Sequence, residues 1–244
     1  MIENSVTILS GHNRYADSWH DMPATSHLIA LALAGDGLDA TVVGSWPREL
    51  ADLSGTDLLV VNAGVGLPNG STAGQSSDEA WEQGRAGLST YLESGRPLLA
   101  VHQAANTFHD VPGYLERLGG RWVAGTSMHP PIGTATVSFG ATAHPVNASP
   151  DASFEVWDER YAHMDITGDV TVLATHVHDG AEHPLVWVHE TPGGRAVYDA
   201  LGHGRESYDS PDRRSCCSAT GHRQNRPCAW SLRRGADSAP ATGT

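Results

Sequence analysis

Apolar residues in the first half of the chain form short runs separated by segments with helical spacing. The short runs predict four strands, at residues 6–9, 40–43, 57–62 and 97–101. The last two are apolar on both faces, which is typical of buried parallel strands. Between the strands, apolar residues on one face predict helices at 24–34 and 78–93, each closely followed by glycine. Strand–helix–strand units of this length predict a parallel sheet with helices on both faces.

The pattern changes after Gly119, where apolar residues recur with a period near two. Five further short strands are predicted, at residues 134–139, 154–157, 170–175, 185–188 and 195–198. They either extend the parallel sheet or form an antiparallel layer beside it. Residues 1–208 are therefore predicted to form one doubly wound α/β domain, with a mainly parallel sheet and additional short strands in its second half.

The composition of the chain changes near residue 209. Residues 209–244 hold all three cysteines and six of the 15 basic residues, but only three of the 28 acidic ones. The segment is rich in Ser, Arg, Pro, Gly and Ala and lacks sustained periodicity, as disordered segments do. We expect a poorly ordered tail at 209–244, with neither a four-cysteine zinc site nor a disulfide framework.

Charge and hydropathy restrict the partners of the protein. The formal net charge is −13, which argues against nucleic acid and anionic membranes, because both bind basic surfaces. No apolar run approaches the roughly 20 residues that span a bilayer. The first four residues carry no basic cluster and lead directly into a predicted strand, unlike a secretory signal. A cytoplasmic location is therefore expected, and self-association into a homo-oligomer stays open.

The buried strand at 97–101 ends abruptly in His102, where a helix is predicted to begin at once. This is the setting of a nucleophile elbow, in which a strained turn presents one side chain at the carboxyl edge of the sheet. Ala100 and Ala104 supply the small residues that such a turn needs two positions to either side. An imidazole can be a base, a metal ligand or a hydrogen-bond donor, but it is a poor nucleophile for acyl transfer. The alternative is a structural histidine bonded to the backbone.

A set of short motifs, in order and spacing, resembles the ThuA-like (trehalose-utilisation) family. The motifs cover residues 5–208 and are Ser10-Gly11-His12, Leu99–His102 with Phe108, Gly125–His129, Asp158–Tyr161, Pro184–Trp187 and Gly202-His203-Gly204. The resemblance implies a flavodoxin-like fold similar to that of class I glutamine amidotransferases, without their cysteine nucleophile. This chain shares that loss, since no Cys precedes residue 216.

The resemblance also implies which residues form a site at the carboxyl edge of the sheet. His102, Glu159 and Tyr161 are the catalytic candidates, and an extended backbone would place the last two on one face. The candidate ligand-binding residues are Gly11, His12, Trp19, His129 and His203. His12, His102, His129 and His203 are also candidate ligands of a divalent metal such as zinc, although their spacing contains no metal motif. The alternative is that these histidines bond sugar hydroxyls beside stacking aromatic residues.

The resemblance implies a role in the utilisation of trehalose or a related disaccharide, including oxidised sugars, so a small-molecule sugar is the expected partner. His102 or Glu159 would act as acid or base on a sugar hydroxyl or carbonyl, with or without a metal. One alternative is a non-catalytic sugar-binding or regulatory module. Another is a divergent amidotransferase-like hydrolase, against which the missing cysteine counts. Whether the protein is an enzyme is left open.

Overall fold

A nine-stranded mixed sheet crosses the computed structural model, which describes residues 5–35, 37–64, 78–141, 144 and 153–210. Most of the predicted loop at 64–77 and of the predicted tail lies outside these residues. The described strands are β1 (Ser5–Ser10), β2 (Asp39–Gly44), β3 (Leu58–Asn62), β4 (Leu98–Val101), β5 (Gly120–Arg121), β6 (Gly133–Phe139), β7 (Ser153–Asp158), β8 (Asp165–Ile166), β9 (Val170–His178), β10 (Ala181–Thr191) and β11 (Gly194–Asp199).

Helices join the strands of the first half. The described helices are α1 (Met22–Gly35), α2 (Pro47–Ala51), α3 (Asp78–Glu93) and α4 (Tyr114–Leu118), with 3₁₀ helices at Asn13–Tyr15, His102–Asn106 and Arg205–Tyr208. The sequence misses α2 and α4 because five residues are too few to show a helical period. The helix predicted after β4 is only a 3₁₀ helix of five residues. Within the described ranges, no helix is long and apolar enough to cross a membrane.

The sheet has a parallel half and an antiparallel half. Its order is β2-β1-β3-β4-β11-β10-β9-β6-β7. The first five strands are parallel, and each of the remaining four runs against its neighbour. The predicted α/β class is confirmed. The second-half strands extend the one large sheet, apart from β5 and β8, which form a small sheet of their own. The doubly wound, flavodoxin-like description stays a prediction.

Burial explains why apolar and polar residues do not alternate along the central strands. Every residue of β3 and β4 is buried, since both faces of the sheet are covered there. Strand β7, at the edge of the sheet, instead alternates exposed and buried positions along its length. Trp187 in β10 is fully buried and donates from Nε1 to the Leu118 carbonyl at 2.8 Å, which confirms it as a core residue.

The topology brings four strand ends to the same edge of the sheet. Strands β1, β4 and β11 are parallel, so their carboxyl ends meet there. Strand β7 is separated from β11 by four antiparallel steps, so it runs in the same direction and also ends at this edge. Ligands bind at such carboxyl edges in open α/β sheets.

Candidate functional site

Four side chains from these four strand ends converge on a single point. His20 follows β1, His102 follows β4, Glu159 follows β7 and His203 follows β11. Among the described residues, they form the group whose potential ligand atoms all lie within 4.8 Å of one another. We call these four residues the edge cluster.

His102 stands at the sharp turn that the sequence predicts. Its φ of 50° is in the left-handed region, and only 1% of the residue is exposed. Its Nδ1 lies 2.7 Å from the carbonyl oxygen of Ala200. A carbonyl can only accept, so Nδ1 carries the proton in the neutral ring and the Nε2 lone pair faces the cluster. Burial lowers the pKa of His102, which favours that neutral form.

His20 is the cluster member that the sequence does not single out. Its Nε2 lies 3.0 Å from His102 Nε2, and its Nδ1 lies 3.3 Å from Oδ2 of the buried Asp17. Burial alone would lower the pKa of His20, but the carboxylates of Asp17 and Glu159 outweigh it and raise that pKa. The one signal in the sequence is the spacing of Asp17 and His20, three residues apart in the loop after β1.

Glu159 joins the imidazoles through both of its carboxylate oxygens. Its Oε2 lies 3.3 Å from His102 Nε2, 3.3 Å from His203 Nδ1 and 3.8 Å from His20 Nε2. Its Oε1 faces the Nδ1 of His129 at 3.3 Å. Burial would raise the pKa of Glu159, but the surrounding imidazoles outweigh it and hold that pKa far below its ordinary value. Glu159 is therefore a carboxylate at neutral pH.

Tyr161 contacts His102 as Glu159 does, although both residues lie just past the end of β7. Its hydroxyl is 3.2 Å from His102 Nε2, and the two rings stack with centroids 4.5 Å apart. Burial raises the pKa of Tyr161 well above its ordinary value, so the phenol stays protonated and acts as a donor.

Asp158, the neighbour of Glu159, points into the protein and not into the cluster. The residue is 1% exposed. It accepts hydrogen bonds from the backbone N–H groups of Gly202 at 2.8 Å and His203 at 3.1 Å, and from the Ser207 hydroxyl. Gly202 has a φ of 118°, and a Cβ there would meet Val101 at 3.0 Å. Asp158 and Gly202 therefore fix the loop that carries His203.

The structure brings together only part of the metal-ligand set that the sequence suggests. The structure groups His20 and Glu159, in place of His12 and His129, with His102 and His203. His12 is exposed, and its ring packs against Trp46 with centroids 4.4 Å apart. His129 contacts the cluster only through Glu159 Oε1.

Gly11 and two tryptophans take different positions around the site. Gly11 is buried, and a Cβ there would lie 2.0 Å from Met22 Sδ, so close packing explains the glycine. Trp19, next to His20 in the chain, is 80% exposed. The Trp122 ring stands edge-on to Tyr161, with centroids 4.6 Å apart. Trp19 is thus an exposed residue next to His20 in the chain, and Trp122 is a partly buried ring against Tyr161.

A family model described as ThuA, trehalose utilisation, matches residues 5–220. The chain belongs to the ThuA family. The resemblance found in the sequence is therefore confirmed. No match was found among curated protein sequences.

Solved structures share the fold of this ThuA-family chain. A putative ThuA-like protein from Parabacteroides merdae is 18% identical with a TM-score of 0.65, covering 87% of this chain and 84% of that one. A second, from Bacteroides uniformis, is 19% identical with a TM-score of 0.62, covering 86% of each chain. A carbohydrate deacetylase, Agd3, is 13% identical with a TM-score of 0.52, covering 86% of this chain and 30% of that one. At these identities the likeness shows the fold.

Proposed function

We propose that this protein acts enzymatically on a sugar, trehalose or a related disaccharide or oxidised sugar, at the carboxyl edge of the sheet. One observation carries the proposal: four strand ends deliver titratable side chains to one point, with contacts of 3.0–3.8 Å. Membership of the trehalose-utilisation family supports the substrate class.

The electrostatics favour an enzyme over a purely binding module. A binding module needs neutral donors and aromatic rings, whereas catalytic sites collect groups with shifted pKa values. Here the pKa of His20 is raised while the pKa values of His102 and Glu159 are lowered. Adjacent groups whose pKa values are shifted in opposite directions can take the separate roles of acid and base.

His129 is the group best placed to exchange a proton with a sugar hydroxyl or carbonyl. Its side chain is 43% exposed, whereas that of His102 is 2% exposed. Its Nδ1 lies 3.3 Å from Glu159 Oε1, a contact that would orient the ring. In this scheme Glu159 positions His129, while the buried His102 and Tyr161 line the inner wall of the site.

Exposed aromatic surface supports a sugar as the ligand. A sugar ring presents apolar C–H faces, which pack on aromatic rings, while its hydroxyls need polar partners. Trp19, the residue before His20 in the chain, is a large apolar side chain left 80% exposed. It would cover one face of the sugar, with the hydroxyls turned toward His129.

The test is a panel of disaccharides and their oxidised forms, screened by thermal shift and by NMR detection of turnover. We compare wild type with His129→Gln and with the control Glu155→Gln, an exposed residue of β7. Loss of a general acid–base group should lower turnover by about 100-fold or more, and the control should match wild type. A panel without any response contradicts the proposal. Binding without turnover would make the protein a binding module.

A further inference from the structure

We infer that the edge cluster binds one divalent transition-metal ion, with zinc the best fit. The ligand atoms would be the Nε2 atoms of His20 and His102, the Nδ1 atom of His203 and one carboxylate oxygen of Glu159. This inference deepens the proposed function by naming a cofactor for the same site, and it rests on observations of its own.

The spacing of the four atoms matches a tetrahedral site. Zinc holds nitrogen and oxygen ligands at about 2.0–2.2 Å, so tetrahedral ligand atoms lie about 3.3–3.6 Å apart. The separations here are 3.0 Å between the histidine Nε2 atoms and 3.3, 3.3 and 3.8 Å from the imidazoles to Glu159 Oε2. Four of the six separations among these atoms are therefore near those that a bound ion would impose.

Hydrogen bonds alone account poorly for this arrangement. The Nε2 lone pair of His102 faces His20 Nε2 and the Tyr161 hydroxyl at 3.0 and 3.2 Å, yet it accepts only one strong hydrogen bond. The buried Nδ1 of His203 lies 3.3 Å from Glu159 Oε2, but the contact lacks hydrogen-bond geometry. A buried imidazole nitrogen without a hydrogen bond is costly. A cation at the centre would engage the lone pairs of His102 and His203 together.

The outer contacts of two ligands have the form found around zinc. Metal-binding histidines usually donate their second ring N–H to a carboxylate or a backbone carbonyl. His102 has the Ala200 carbonyl 2.7 Å from its Nδ1, and His20 has the Asp17 carboxylate 3.3 Å from its Nδ1. Both arrangements leave the nitrogen that faces the cluster free to bind a metal.

The type of donor selects the class of ion. Three imidazoles and one carboxylate suit zinc and its first-row neighbours, whereas calcium and magnesium prefer sets made of oxygens. Glu159 supplies one negative charge at the centre and Asp17 a second behind His20. Two carboxylates therefore balance a doubly charged ion in a largely buried place.

The experiment measures metal content in the full chain, purified without a histidine tag. Wild type should contain about one equivalent of metal, and after chelation and dialysis it should bind Co²⁺ with the visible absorption of a four-coordinate complex. His203→Gln should weaken Co²⁺ binding by about 100-fold, and Asp17→Asn, which alters only an outer contact, by about 10-fold. The matched control is His183→Gln, a histidine outside the cluster, which should bind as wild type does.

The inference fails if wild type neither retains metal nor binds Co²⁺, or if His203→Gln binds as tightly as His183→Gln. Its failure is distinguishable from failure of the proposed function. Metal binding without any response to sugars supports the metal site and contradicts the proposed action on a sugar. Sugar turnover by a wild-type protein that neither retains metal nor binds Co²⁺ upholds the function and contradicts the metal site.

Discussion

Two groups of histidines lie in the described structure, and they are built differently. The edge cluster joins four strand ends around Glu159. The second group, which we call the hairpin cluster, surrounds His183 at the β9–β10 hairpin. The ring centroids of His163, His176 and His178 lie 4.5, 5.7 and 6.2 Å from that of His183. By number of imidazoles alone, the hairpin cluster would be the better candidate for a site.

The difference is what the imidazoles face. In the edge cluster a carboxylate oxygen lies at the centre, and Asp17 stands behind His20. In the hairpin cluster the backbone holds the rings: His176 Nε2 donates to the Tyr161 carbonyl at 3.0 Å, and His183 Nδ1 accepts from the His163 N–H at 3.3 Å. The carboxylate that His178 contacts belongs to Asp179, and that side chain is 85% exposed.

A count of histidines therefore does not identify a site. A carboxylate beside an imidazole favours the charged ring or a bound cation, whereas burial without one favours the neutral ring. Burial lowers the pKa values of His176 and His183, so these rings are neutral packing elements. The three predictions below separate the two regions by stability, by pH and by backbone strain.

The largest expected effect comes from Asp158→Ala, which removes the support of the edge cluster. The substitution leaves the buried N–H groups of Gly202 and His203 and the Ser207 hydroxyl without their acceptor. Stranding several buried donors should lower the free energy of unfolding by about 3–5 kcal/mol. Urea denaturation followed by circular dichroism measures it.

The control for Asp158→Ala comes from the hairpin cluster. Asp179→Ala removes a carboxylate whose side chain is 85% exposed, so the free energy of unfolding should change by about 0.5 kcal/mol or less. Comparable losses from the two variants would show that Asp158 does not support the loop of His203.

A smaller effect is expected from acid, and the hairpin cluster should contribute to it. The pKa values of His176 and His183 are lowered in the folded state, so the unfolded chain takes up their protons first as the pH falls. Stability is therefore complete above the ordinary histidine pKa of about 6.5. It falls as the pH drops from there toward the lowered folded values, by at most about 1.4 kcal/mol per pH unit for each histidine.

The charges that face the two rings bear on this pH dependence. His163, His178 and Arg160 oppose protonation, and Asp179 favours it. His183→Gln should flatten the dependence of the free energy of unfolding on pH between about 6.5 and 5. The measurement is urea denaturation at several pH values for both proteins. Equal slopes in the variant and wild type would assign the acid sensitivity elsewhere.

Most strands could be predicted because their apolar runs match the burial that the sheet imposes. The helix predicted at 78–93 has those bounds in the structure, and the five later strands differ only at their ends. How these later strands pair could not be predicted, because alternation along one strand is the same beside a parallel or an antiparallel neighbour. The four antiparallel steps that carry β7 to the carboxyl edge are visible only in the assembled sheet.

The candidate site could be predicted where a motif residue lies shortly after a strand. His102 and Glu159 follow their strands directly, His203 lies four residues after β11, and all three lie in the cluster. His12 is nearer the end of β1 than His20 is, but its ring packs against Trp46. The chain continues to Asp17, whose carboxylate contacts His20. A segment of ten residues after a strand can fold so that any of its side chains reaches the sheet edge. Distance along the sequence from β1 therefore could not decide between His12 and His20 as the cluster residue.

The smallest expected effect concerns the turn at His102 and compares two variants that both lack the imidazole. Its φ of 50° is costly for any residue with a Cβ, and glycine adopts it without that cost. His102→Gly should therefore be more stable than His102→Ala by about 1 kcal/mol, although both should lose metal and sugar binding equally. Thermal or urea denaturation of the pair measures the difference. The comparison cancels the lost contacts of the ring, since both variants remove them, and leaves the backbone as the variable. If alanine proves the more stable substitution, the turn holds no strain, and the left-handed geometry at the carboxyl end of β4 is not what presents His102 to the cluster.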